Sequence, residues 1–144
     1  MASRIRWGPL SGSTLLASAQ FNSLADEGNA AGSIVALSAF GQMHSDWFLS
    51  ASYTSAPSGQ VDLYFVTYFG GSPTDGSSSV DPPANSLVGS FALREATGRQ
   101  LIPLNFMIMP NHDFTPVLIN RGNVTMGAGS NFLYIQPYDV NPDA

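Results

Sequence analysis

The sequence predicts an all-β chain: a single-domain β-sandwich, jelly-roll-like, of about eight antiparallel strands, with an extended N-terminal arm and a C-terminal tail. Three observations predict it. Short runs of alternating apolar and polar residues recur along the chain, and a period of two is the mark of a strand with one buried face. No segment sustains the i, i+3, i+4, i+7 apolar pattern over three helical turns. Finally, 14 glycines and 10 prolines punctuate 144 residues. Inside a helix glycine costs about 1 kcal/mol and proline about 3 kcal/mol, so few helices survive that density.

Taken in order, residues 1–10 read as an arm carrying Arg4, Arg6, Trp7 and Pro9. Residues 11–138 form the sandwich and 139–144 an acidic, proline-containing tail. A short strand is expected near 14–17, and one helical turn at 24–27, before Gly28. A strand over 33–40 follows. The run 46–54 is the clearest, with Trp47, Leu49, Ala51 and Tyr53 on one face and Phe48, Ser50, Ser52 and Thr54 on the other. In the run 61–69, Val61, Leu63, Phe65 and Phe69 share a side, and Tyr64, Val66 and Tyr68 lie opposite. Both faces are apolar, as in a central strand or one covered by a partner. The segment 55–59, Ser-Ala-Pro-Ser-Gly, is rich in turn formers and predicts a hairpin between these two runs. Residues 70–85 show no periodicity. A loop that long either crosses the sandwich or serves as a contact surface. Further strands are expected over 86–94, 100–107, 114–120 and 131–138.

Composition excludes several classes. Only 10% of residues are charged, against about 25% in typical domains, while 44% are hydrophobic. That balance is the reverse of a disordered chain. The five basic residues are all arginine, scattered and outnumbered by ten acids, for a net charge of −5. A nucleic-acid backbone binder needs the opposite. No apolar run approaches the length of a membrane span, so no membrane partner is expected. The opening MASRIRWGPLSGS has no apolar stretch of signal-peptide length, and the expectation is assembly in the cytosol. Without cysteine there are no disulfides, thiolate metal sites or cysteine nucleophiles. A surface so poor in charge suits protein partners, because charges are depleted at interface cores.

Catalytic constellations are sparse. His44 and His112 are the only histidines, and no G-x-S-x-G elbow is present. His44 and Asp46 share a strand face but are too few to close a metal site. Asp62, Asp75 and Asp81 could offer oxygen to calcium, yet Asp75-Gly76 lacks the surrounding loop motif and reads as a turn. No enzyme activity and no cofactor are expected. Trp47 lies on the apolar strand face and is assigned to the core. Trp7, flanked by arginines in the arm, reads as an interface anchor, since Trp and Arg are enriched in hot spots.

In order and spacing, the segments TLLASAQFNSLA (14–25), VDLYFV (61–66) followed by Asp75-Gly76, LVGSFAL (87–93), VLINRG (117–122) and NFLYIQPY (131–138) resemble a family of small virion proteins of tailed phages and prophages. Some members are jelly-roll decoration, or cement, proteins. The resemblance implies a non-enzymatic structural protein on the capsid surface, assembled in the host cytoplasm. It would bind the major capsid protein and stabilise junctions between capsomers, itself a dimer or trimer. Arg4, Arg6, Trp7, Pro9, Asp75, Tyr138 and Asp139 are the candidate partner contacts. The alternative is a jelly-roll module of a phage tail or spike that recognises host glycan. That reading expects an exposed aromatic pair in a concavity near the 70–85 loop.

Overall fold

Trp47, Leu49, Ala51 and Tyr53 are all buried, as their alternation predicts. They lie on strand β3 (His44–Tyr53) of a computed structural model that describes residues 13–16, 18–36 and 44–138. Before it come β1 (Ser13–Leu16), a single helical turn α1 (Ser18–Phe21) and β2 (Asn29–Ala31). After it come β4 (Gln60–Phe69), the two-residue β5 (Ser72–Pro73), β6 (Leu87–Ala92), β7 (Gly98–Ile108), β8 (Phe114–Arg121) and β9 (Phe132–Tyr138). The strands form two antiparallel sheets. One runs β1-β9-β3-β7. The other runs β2-β8-β4, with β6 and β5 sharing the far side of β4. The predicted β-sandwich is what the chain forms.

The inner faces meet across an aromatic centre. The Phe65 ring lies 5.2 Å from Trp47 and 4.4 Å from Phe114, centroid to centroid. The Trp47 indole N–H donates to Ser45 Oγ at 2.8 Å, and that hydroxyl faces Met109 Sδ at 3.1 Å. The one polar atom of the ring thus has a partner, which a buried tryptophan requires.

The expected hairpin between 46–54 and 61–69 does not form. β3 belongs to one sheet and β4 to the other, and the Pro57 turn is an arch that carries the chain across the core. Facing layers bury both apolar faces at once, whereas a hairpin would set the two strands side by side in one layer. Gly59 closes the arch at φ +132°, where a Cβ would fall 2.3 Å from the Arg121 carbonyl oxygen. Other boundaries also move. The helical turn sits at Ser18–Phe21, and 24–28 is a reverse turn closed by Gly28 N–H to the Ala25 carbonyl at 3.0 Å. In the 33–40 run the described residues make only a single bridge, Val35 to Phe114, and 37–40 lie outside the description.

Buried amides fasten one end of the sandwich. The Asn120 amide donates to the carbonyls of Leu24, Ala25 and Val124, and its oxygen accepts from Gly122 N–H and the Tyr53 hydroxyl. Asn131 links Gly127 to Ser52, and Gln100 clamps the turn from Arg94 to Ala96. Burial pushes the Tyr53 phenol well above the usual tyrosine value, and the charge of Asp26 adds to it.

The long 70–85 loop crosses the outside of the second sheet. Gly70 and Gly71, at φ +59° and +82°, reverse the chain so that β5 pairs back on the end of β4. Left-handed pairs are the favoured two-residue hairpin turn. The strap then passes over Val66 and is tied down by the Asn29 amide, which donates to Asp81 Oδ1 at 2.9 Å. Val66, Tyr64, Val117 and Ile119 make a small second core beneath it. At Val66 the apolar outer face of β4 is therefore covered by the chain's own strap.

Candidate functional site

The far end of β4 carries the site. The inward positions Val61, Leu63 and Phe65 are buried. Two residues beyond Thr67, at the end of the strand, Phe69 is 56% exposed. The glycine turn directly after it holds the ring at the tip. The segment before β8 arrives alongside, tied by the Tyr68 N–H donating to the Asp113 carbonyl at 2.8 Å. It brings the His112 ring to 4.4 Å from Phe69, tilted by 56°.

Two concavities flank this pair. One, of about 480 Å³, opens at the mouth between the sheets, with Phe69, Ile108 and Pro110 against Thr74, Asn85 and Ser86. The other, of about 470 Å³, lies on the outer side of the second sheet, with Ile34, Tyr68 and His112 against Asn111 and Asp113. Each has a size typical of small-ligand sites and mixes apolar surface with a few polar groups. Chemically the arrangement offers aromatic faces for stacking, and amide, hydroxyl and carboxylate groups for hydrogen bonds.

Ionisable groups converge at a second place, the opposite end of the same sheet. Arg121 pairs with Glu27 and, through Nε at 2.9 Å, with Asp62 Oδ2. Asp62 Oδ1 also accepts from Gln60 Nε2 and Ser90 Oγ, both at 2.6 Å. A hydrogen bond with the Tyr64 side chain pushes the guanidinium above its usual value, against the opposing effect of burial and with help from Glu27 and Asp62. Here both carboxylates already share one guanidinium. Among the described residues, no group of three or more His, Cys, Asp or Glu could hold a metal ion.

Of the candidate contacts named from sequence, Arg4, Arg6, Trp7, Pro9 and Asp139 lie outside the described residues. Asp75 is exposed on the strap. Tyr138 is buried within its own chain, its ring 5.7 Å from His44, and burial with the nearby Asp46 pushes its phenol up. The structure does not bring Asp75 and Tyr138 together in one element pair. Sequence reasoning did not single out the Phe69–His112 pair. Phe69 was assigned to the buried side by periodicity, and His112 was considered only as a catalytic base. The signal that was available is the Gly70-Gly71 turn, which marks Phe69 as a strand end.

Solved structures share this architecture. Its fold resembles that of two carbohydrate-binding modules. One is the CBM36-1 domain of a multidomain xylanase from the hindgut metagenome of Trinervitermes trinervoides, with a TM-score of 0.59 and 11% identity over 90% of this chain and 100% of that one. The other is a carbohydrate-binding module CBM36 in complex with calcium and xylotriose, with a TM-score of 0.50 and 16% identity over 94% of each chain. At such identities the likeness is one of fold. No protein-family model matches the chain, and no curated protein matches it in sequence.

Proposed function

We propose that this chain is a non-catalytic glycan-binding module, the alternative that the sequence left open. The observation that carries the proposal is the Phe69–His112 pair, Phe69 exposed and His112 half-buried, set between two concavities beside the long loop. A sugar ring has an apolar face of C–H bonds and a polar rim of hydroxyls. The tip offers a matching aromatic face with amides and hydroxyls around it. The likeness to carbohydrate-binding modules supports the reading at the level of fold.

Calcium, present in one of those complexes, finds no group of three or more His, Cys, Asp or Glu among the described residues. The carboxylates that converge, Glu27 and Asp62, are bridged by Arg121. In this reading the chain's own groups hold the sugar. The test is calorimetric titration of the whole protein with soluble xylo- and cello-oligosaccharides, after a glycan array to rank them. Phe69→Ala should weaken binding at least about tenfold, since loss of one anchoring aromatic costs more than about 1–2 kcal/mol. Its thermal midpoint should stay unchanged, because the ring is exposed. Equal binding by wild type and variant, or no binding to any glycan, would overturn the proposal.

The capsid-decoration reading keeps one observation of its own. Leu101 and Ile108 are 62% and 68% exposed on β7, the edge strand of its sheet. Apolar side chains at a sheet edge suit a protein neighbour. Copy number in purified particles separates the two readings. Hundreds of copies per virion mean decoration. A dozen or fewer, or none, remove it.

A further inference from the structure

The outer concavity does not end at Tyr68. Tyr68 and Ile34 also line a third hollow, of about 560 Å³, which runs beneath the strap. Its floor is Val66 and Thr115, and the Tyr68 hydroxyl is 3.2 Å from Thr115 Oγ1. One wall is the segment from Gly32 to Ile34, and the other is the strap at Ser77 and Ser78. Both walls are braced. Gly32 N–H donates to the Pro116 carbonyl at 2.9 Å, and Ser77 Oγ accepts from the backbone N–H groups of Ser79 and Val80 at 3.1 Å. Gly76 sits so close to Val66 and Pro82 that an added Cβ would fall 2.7 Å and 3.0 Å from their carbons. At Gly76 the strap thus already rests on Val66, and the hollow opens beside that contact, between Ser77-Ser78 and the Gly32–Ile34 segment.

Resting on the glycan-binding reading above, we infer that the two hollows form one trough, and that it takes a neutral oligosaccharide several sugars long. Continuity is the first argument, since the same two side chains line both hollows. Charge is the second. No arginine or lysine lines either hollow, His112 and Asp113 both line the outer one, and the chain carries a net charge of −5. A uronate chain would meet a net-negative protein and no arginine or lysine to pair with. The third is lining chemistry. Serine and threonine hydroxyls alternate with Ile34, Val66 and the Tyr68 ring, which suits a ligand with hydroxyl edges and apolar faces.

The experiment is titration of the full chain with xylo-oligosaccharides from two to six residues, and with galacturonate oligosaccharides of equal length. Affinity should rise at least about tenfold from the disaccharide to the hexasaccharide. Galacturonates should bind at least about tenfold more weakly at each length. Ser78→Trp should fill the trough from its exposed wall and remove the gain with length, while leaving disaccharide binding intact. Ile34→Ser, at an exposed position, should reduce the gain as well and guards against a poorly folded tryptophan variant. Length-independent affinity, an unchanged length dependence in both variants, or equal binding of galacturonates would overturn the trough. Loss of binding to every sugar in the wild type would instead remove the glycan reading itself, and the trough with it.

Discussion

Asn120 shows how much one side chain can hold. It is fully buried, and its amide satisfies three carbonyls on two separate loops while its oxygen accepts two further bonds. Its backbone adds two more, to Glu27 and Gly28. Replacing it by alanine strands carbonyls, an N–H and the Tyr53 hydroxyl in a dry interior. Each unsatisfied buried group costs about 1–3 kcal/mol, less whatever water can recover. Asn120→Ala should therefore cost about 3–4 kcal/mol in urea unfolding, with an unchanged m-value. A loss under about 1 kcal/mol would mean that water replaces the amide. Nothing in the sequence marks this residue: Asn120 reads there as the end of an apolar run. Trp47 is the opposite case, legible because its neighbours at two-residue spacing are all apolar.

At the scale of elements, alternation located most strands and failed where pairing decides the outcome. β3, β4, β7, β8 and β9 fall within a few residues of their expected positions: burial alternates along much of β3 and β9, while β4 and β8 are apolar runs buried on both faces. β2 was missed, since Asn29, Ala30 and Ala31 show no alternation, and the strand exists only because β8 offers it a partner. The arch between β3 and β4 was read as a hairpin for a similar reason. Turn chemistry at 55–59 states that the chain reverses, but not whether it reverses within a layer or between layers. What decides is the complementarity of two fully apolar inner faces, with Trp47 lying over Phe65. The strap illustrates a third limit. Its course depends on one amide of β2 reaching Asp81, 52 residues away. The site inherits these limits: Phe69 and His112 are 43 positions apart in the chain and meet only because β8 pairs with β4.

At the scale of the whole molecule, the described residues include no cluster of three or more His, Cys, Asp or Glu that could hold a metal ion. Eight of its ten acids fall within the described residues, and the two that share a partner share Arg121. Asp62 is nearly buried, so its charge is tolerable only because the guanidinium and the hydrogen bonds from Gln60 and Ser90 meet it. A fixed cation already stands where a divalent ion would have to bind. Calcium should therefore not stabilise the protein. A ligand bound only by the folded state at a hundredfold excess over its Kd adds about 2.7 kcal/mol, which raises the midpoint of a domain this size by several degrees. Thermal melts in millimolar calcium and in EDTA should instead coincide within about 1 °C, an order below that shift. Arg121→Gln should reverse the behaviour, because it leaves Glu27 and Asp62 facing one another without a counter-charge. The variant should melt lower in EDTA and recover part of the loss in calcium. A wild-type melt that rises by several degrees in calcium would show that the guanidinium is not the cation this fold relies on.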